Sequence, residues 1–311
     1  MPTAYFTHPS CRQHEMGAGH PECPQRLDAI EDWLIGNGVD VALARHEAGA
    51  VATSDVELAH THGYVGEITE LLQACAADGQ PRAVDPDTSA GRHTYQAALH
   101  AAGAAVAATD LVIDGKASNA FCAVRPPGHH ATRDAAMGFC FFNNVAIAAR
   151  HALDVRGLRR VAIIDFDVHH GNGTEDIIAG DERVLMVSLF QHPLYPYSGG
   201  TPKGENMVNV PVAAYTRGPA VREMIEAMWL PALARFAPEM IFISAGFDAH
   251  RDDDLGQLGL VEADYTWITE QIMAVAERDA QGRIVSCLEG GYNLPALARS
   301  VGAHLRVLAG V

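Results

Sequence analysis

Asp165-Phe166-Asp167-Val168-His169-His170-Gly171-Asn172-Gly173 follows directly on the apolar run Val161-Ala162-Ile163-Ile164. A run of that length, apolar on both alternating faces, reads as a strand buried within a parallel sheet. Side chains alternate along a strand, so Asp165, Asp167 and His169 fall on one side if the extended conformation continues. Buried carboxylates and imidazoles need compensation, because isolated buried charge is very costly. A divalent metal supplies it, and Asp oxygen and His nitrogen are ordinary zinc ligands. The stretch therefore predicts a metal site at the carboxyl end of a central strand, where open α/β sheets place their ligands.

The pattern repeats outward from there. Strand-like runs occur at Ala120–Val124, Val161–Asp165, Val184–Leu189, Met240–Ser244 and Ile284–Leu288. Helix-like segments lie at Pro24–Ile35, Thr94–Val112, Asn143–Leu153, Ala220–Phe236, Tyr265–Arg278 and Pro295–Leu308. This alternation predicts an α/β fold, three layers with a central, mostly parallel sheet between helices. No linker, repeat or low-complexity tract interrupts it, so residues 1–311 are expected to form a single domain. Polar groups follow four of the runs: Arg125-Pro126-Pro127-Gly128-His129-His130, the Asp165–Gly173 stretch, Gly246-Phe247-Asp248, and Glu289-Gly290-Gly291-Tyr292-Asn293. In a parallel sheet all four converge on one end.

Composition narrows the class. The 311 residues are 48% hydrophobic and 19% charged, which suits a globular protein with a sizeable core. The formal charge of −16 argues against nucleic acid as a direct ligand; it fits a cationic substrate, or solubility alone. No uninterrupted apolar run of membrane-spanning length is present, so no membrane partner is expected. The start, Met1-Pro2-Thr3-Ala4-Tyr5-Phe6, lacks the features of a secretory signal. Six scattered cysteines without Cys-x-x-Cys read as reduced thiols, and a cytoplasmic location is expected. The sequence allows an oligomer without requiring one.

Asp167, His169 and Asp248 are the candidate zinc ligands, three protein groups with a fourth position left for water or substrate. Asp165 falls behind them, and with loop carbonyls, Ser188 and Leu189 it could hold a monovalent cation. His129 and His130 supply acid–base chemistry in the right pH range. Each ring needs an orienting partner, and Asp165 and Asn172 are available. Tyr292, in a Gly-Gly-Tyr turn, could donate to a developing oxyanion, although a loop aromatic more often simply packs. His170 is the least needed of the imidazoles and is expected to pack behind the site. A rival metal set, Cys11, His14, His20 and Cys23, has suitable residue types but no familiar spacing.

These residues resemble the histone deacetylase family, together with the acetylpolyamine amidohydrolases of the arginase/deacetylase fold. The matching motifs are Arg125 through Ala131, Gly138-Phe139-Cys140-Phe141-Phe142-Asn143-Asn144, Asp165 through Gly173, Ser244 through Asp248, and Glu289 through Asn293; Gly19 through Arg26 also fits. They run in family order over residues 4 to 310. The resemblance implies catalytic Zn2+ on Asp167, His169 and Asp248, His130 as general base and acid, and Asp165 and Asn172 as partners of His129 and His130. It further implies Tyr292 as the transition-state tyrosine, and Gly138, Phe139 and Tyr195 as walls of the substrate channel. Asp165, Asp167, His169, Ser188 and Leu189 match a structural K+ site, while the family has no metal at the N-terminal cluster. One departure is Tyr195-Pro196-Tyr197-Ser198-Gly199, where the family usually has Phe-Pro-Gly-Thr-Gly.

The expected substrate is an acetylated amine, acyl-lysine ahead of acetylpolyamine. Polyamine-specific relatives carry a glutamate seven positions after the third zinc ligand, and here that position is Leu255. Asp252, Asp253 and Asp254 precede it and read as a solvated acidic loop, or as a carboxylate source at the rim. Asp87 or Thr88 could hydrogen-bond a substrate backbone. Other readings are a small-molecule amide deacetylase, an arginase-like dimetal ureohydrolase, which the tandem histidines and Tyr292 do not suit, and a non-catalytic acyl-ligand-binding protein.

Overall fold

The computed structural model describes residues 1–311. Eight strands form one sheet in the order β2-β1-β5-β10-β9-β6-β7-β8, and every neighbouring pair is parallel. They are β1 Thr3–Thr7, β2 Leu43–Glu47, β5 Asn119–Cys122, β6 Val161–Asp165, β7 Val184–Gln191, β8 Met207–Val212, β9 Met240–Ala245 and β10 Ile284–Leu288. A short antiparallel hairpin, β3 Arg82–Ala83 with β4 Ser89–Ala90, stands apart. The helices are α1 Gln25–Gly36, α2 Thr53–Val56, α3 His62–Asp78, α4 Thr94–Ile113, α5 Asn144–Arg150, α6 Asn172–Ile178, α7 Gly218–Met224, α8 Leu230–Phe236, α9 Glu262–Asp279 and α10 Leu294–Ala309. One wider π turn extends α5 over His151–Val155, and another, Ile225–Trp229, joins α7 to α8.

The five strands foreseen from apolar runs are contiguous in the sheet, β5-β10-β9-β6-β7. Every residue in them is buried, as strands covered on both faces must be. Their carboxyl ends lie side by side, and this brings the polar motifs together. Three strands carry no such run. β1 reads Thr-Ala-Tyr-Phe-Thr, with a threonine at each end, β2 is a half-exposed edge strand, and edge strand β8 includes Pro211, which has no N–H to offer a further strand. Helix α3, also not foreseen, contains Gly63 and Gly66.

Two asparagines of the motifs do structural work. Asn143 Oδ1 accepts from Ala146 N (3.0 Å) at the start of α5, and Asn293 Oδ1 accepts from Ala296 N (3.1 Å) at the start of α10. Tyr292 therefore sits one residue before a capped helix. By length and composition α4 is apolar enough to cross a membrane, although polar residues break its run in the sequence. Here most of its side chains are buried inside the protein.

Candidate active site

Beyond Asp165 the chain does not stay extended. Asp165 Oδ1 accepts from Asp167 N (3.1 Å), and Asp167 Oδ1 accepts from His169 N (2.9 Å), two successive turns closed by aspartate side chains. The strand alternation expected for Asp167 and His169 is thus replaced by local coiling, which delivers them to the same place. Asp248, from the loop after β9, accepts from Val168 N through Oδ1 (2.9 Å), so the two loops are tied together.

Asp167, His169 and Asp248 are the one set of metal-ligating side chains that gather in the protein. His169 Nδ1 lies 3.0 Å from Asp167 Oδ1 and 3.1 Å from Asp248 Oδ2. Four ligands at about 2.0–2.1 Å around a tetrahedral zinc stand about 3.3 Å apart, so the three atoms are spaced much as a metal would hold them. A ring N–H can be directed at only one of these oxygens, and Asp248 Oδ2 is buried without a hydrogen-bond partner. Burial, followed by the charge of Asp167, pushes the Asp248 carboxyl up to about 7. Burial opposes protonation of His169, but the two aspartates outweigh it and raise the ring to about 10. A carboxylate that resists its own charge beside a ring that retains its proton marks a pocket short of positive charge. The residues present fit a divalent cation. Gly290 leaves room for it, since a Cβ there would lie 2.0 Å from Asp248 Oδ2.

Two imidazoles flank this cluster, their centroids 4.0 Å apart. His129 Nδ1 meets Asp165 Oδ2 at 3.0 Å, and His130 Nδ1 meets Asn172 Oδ1 at 2.8 Å. The Asn172 amide nitrogen faces Met137 Sδ at 3.3 Å, so its oxygen is the atom turned to His130. His130 then carries its proton on Nδ1 when neutral and presents a bare Nε2. Burial, with the charges of His129 and His169, holds His130 well below the ordinary imidazole range. His129 is desolvated too, yet Asp167 and Asp165 hold it well above that range. Tyr292 is kept a phenol by burial and by Asp248, against a weaker pull from Arg26.

A cavity of about 230 Å³ opens on these groups. His129, His130, His169 and Tyr292 line its base, and Gly138, Phe139, Tyr195 and Leu255 line it with Leu194, Tyr197 and Asp87. Gly138 and Phe139 both have positive φ (57° and 69°). A side chain at Gly138 would strike the His130 ring at 2.5 Å. Tyr195 and His130 stand nearly perpendicular, ring centroids 5.1 Å apart. A wider cleft, about 880 Å³ around Arg217, Arg251 and the Arg222–Asp264 pair, has no metal-ligating or acid–base cluster.

Two expectations, for Thr88 and for Asp253, need correction. Thr88 is buried and does not face the cavity, because its Oγ1 accepts from Phe139 N (2.8 Å) and so supports the channel wall. Asp253 is not solvated: it is 6% exposed, whereas Asp252 and Asp254 are exposed. Cys11, His14, His20 and Cys23 form no joint ligand set. His14 bonds Thr94 (2.9 Å), and burial raises the Cys11 thiol to about 11. His170 Nε2 meets Glu175 Oε2 at 3.0 Å, behind the site.

Other buried groups had no local signal in the sequence beyond lying inside the motifs. Glu289 Oε2 accepts from Gly128 N (2.7 Å) and His129 N (3.1 Å), fixing the tandem histidines. Glu22 joins Arg125 and Arg26, all three fully buried. Arg26 donates to the carbonyls of Gly291 (2.6 Å) and Glu289 (2.5 Å), with its guanidinium 5.0 Å from the Tyr292 ring centre.

The family model described as a histone deacetylase domain matches residues 20–308. The chain belongs to the histone deacetylase family. Histone deacetylase 14 of Arabidopsis thaliana, described as chloroplastic, is 38% identical, the match covering 94% of this chain and 73% of that protein. The histone deacetylase-like amidohydrolase of Pseudomonas aeruginosa is 36% identical, covering 90% of this chain and 74% of the relative. A solved structure, the HDA15 HD domain, superposes with a TM-score of 0.92 at 33% identity, covering 100% of this chain and 89% of that one. The sheet and its flanking helices are therefore the arginase/deacetylase fold, and this histone deacetylase family member is a hydrolase of amide bonds.

Proposed function

We propose that the protein is a zinc-dependent deacetylase that hydrolyses the amide of an acetylated amine, with acyl-lysine the preferred class. The observation that carries this reading is the meeting, in one cavity, of the Asp167–His169–Asp248 cluster, two oriented imidazoles and Tyr292. Zinc held by Asp167, His169 and Asp248 would polarise the amide carbonyl and lower the pKa of water. His130 Nε2 takes the proton from the attacking water and later gives it to the leaving amine, so water and amide become acetate and amine. Asp165 and Asn172 keep the two rings aimed, and the Tyr292 hydroxyl donates to the oxyanion as it forms.

Leu255 on the cavity wall supports acyl-lysine, since it offers a secondary ammonium no counter-charge. The alternative, an acetylpolyamine, is favoured by Asp87 on the same wall. We also assign K+ to Asp165, Asp167, His169, Ser188 and Leu189. The Ser188 hydroxyl supports this, being buried with no hydrogen-bond partner beside Asp165 in the sheet register. The chain is read as one catalytic domain acting in the cytoplasm.

The test is acetate release by metal-replete protein from acetyl-lysine peptides, acetylputrescine, acetylspermidine and small acetamides, with zinc and with iron. Tyr292→Phe and His130→Ala should each lose roughly 10²-fold or more in kcat. Near-wild-type turnover in both variants overturns the mechanism. Faster release from acetylspermidine than from peptide overturns the substrate order.

A further inference from the structure

Asp253 has no basic side chain as a partner, yet it is buried. Its Oδ2 accepts from two consecutive backbone amides, Tyr292 N (2.6 Å) and Asn293 N (2.9 Å). Its Oδ1 accepts from Leu255 N (3.0 Å). Three backbone N–H groups thus neutralise one desolvated carboxylate, and hydrogen bonds to a charged acceptor are among the stronger ones in a protein. These two amides lie just ahead of the sixteen-residue helix α10, at its N-cap Asn293 and the residue before it, the end where the helix dipole favours a negative group. Its neighbours in sequence are engaged differently: Asp252 lies beside Arg251 and Arg299 on the surface, and Asp254 is exposed.

The placement has a consequence for chemistry. Tyr292 follows Gly290 and Gly291, the latter at φ 121°, so the turn itself offers little stiffness. It is gripped from two sides. Arg26 holds the carbonyls of Glu289 and Gly291, and Asp253 holds the amides of Tyr292 and Asn293. The same carboxylate holds the amide of Leu255 on the cavity wall, and Asp253 itself lies five residues beyond Asp248 of the metal-site loop. We infer that Asp253 is a positioning residue that fixes the Tyr292 hydroxyl relative to the reacting carbonyl, and sets the Leu255 wall at the same time. The inference rests on the deacetylase reading for its catalytic consequence, but the grip itself is independent of that reading.

A double-substitution cycle tests it. On the best acetylated amine, Asp253→Ala should lower kcat at least ten-fold and change KM less than three-fold, with metal content by mass spectrometry unchanged. In a Tyr292→Phe background, where no hydroxyl remains to be placed, the same substitution should lower kcat less than two-fold. Equal fold-losses in the two backgrounds, or an unchanged kcat in the first, overturn the inference. Asp253→Asn keeps one acceptor oxygen and should fall between wild type and Asp253→Ala; it carries the same cycle if the alanine variant does not fold. Amide hydrogen exchange supplies a readout without turnover. Exchange at Tyr292 and Asn293 should quicken at least ten-fold in Asp253→Ala while β6 and β9 keep their protection. Unaltered exchange there overturns the grip even if the wild type hydrolyses nothing, and inactivity of the wild type with quickened exchange defeats only the deacetylase reading.

Discussion

Glu22 is the most consequential charge outside the cavity. It is fully buried between Arg125 and Arg26, with His14 Nε2 3.5 Å away. Burial would raise its carboxyl, but Arg125, His14 and Arg26 outweigh that and lower it to about 2. A folded value below the unfolded one means stabilisation that is fully present above about pH 4.5 and is lost as the pH falls toward about 2. The shift corresponds to about 3 kcal/mol. Glutamine imitates the protonated side chain, so Glu22→Gln should be less stable than wild type by about that amount at pH 7. Urea unfolding between pH 7 and pH 2.5 should show the two stabilities converging through the acid window, and parallel curves would refute the assignment. Glu22 also marks a limit of reading residues in order. Asp167, His169 and Asp248 were legible because each follows an apolar strand that buries it. The bonds from Glu22 to Arg125 and from Asp253 to Tyr292 join residues 103 and 39 positions apart, and no local pattern announces them.

At the scale of elements, burial on both faces decided what the sequence could disclose. β6 and β9 each open with four consecutive apolar residues, whereas β2 reads Leu-Ala-Arg-His-Glu and alternates only partly between inside and outside. Helix α4 was legible from its alanines, but the reason for its one internal glycine was not. A Cβ on Gly103 would lie 1.9 Å from the carbonyl oxygen of Gly49, where the loop through Val51 crosses the helix. That contact is backbone on backbone, and neither side can rotate away. Gly66 in α3 is the natural contrast, because a Cβ there meets nothing within 4 Å. Helix propensity alone favours alanine over glycine by about 1 kcal/mol at both positions. Gly66→Ala should therefore gain roughly 0.5–1 kcal/mol, while Gly103→Ala should lose about 2 kcal/mol or more from overpacking. Chemical denaturation of the two variants side by side measures the difference, and a stabilised Gly103→Ala would disprove the close crossing.

Across the whole molecule the balance of charge comes to a head at one end of the sheet. The chain carries a formal charge of −16, and Asp165, Asp167, Asp248 and Glu289 are all buried where β5, β10, β9 and β6 end. Burial raises the carboxyls of Asp248 and Glu289 to about 7 each, so part of this cluster resists ionising at neutral pH. A cation that binds the folded site and not the unfolded chain offsets the deficit, and its binding free energy becomes folding free energy. At a free metal concentration of about 1,000 times Kd the gain is about 4 kcal/mol. At about 2.1 cal/mol/K of unfolding entropy per residue, each kcal/mol moves the Tm of a 311-residue protein by roughly 1.5 °C. Removing metal with a chelator should therefore lower Tm by about 6 °C, and zinc titrated back should restore it in a concentration-dependent way. Asp248→Ala should lose most of that metal dependence, because it removes one ligand and one of the strained carboxylates together. A Tm indifferent to chelation and to zinc would show that the protein stabilises its buried carboxylates without a metal, and would remove the electrostatic argument for the site.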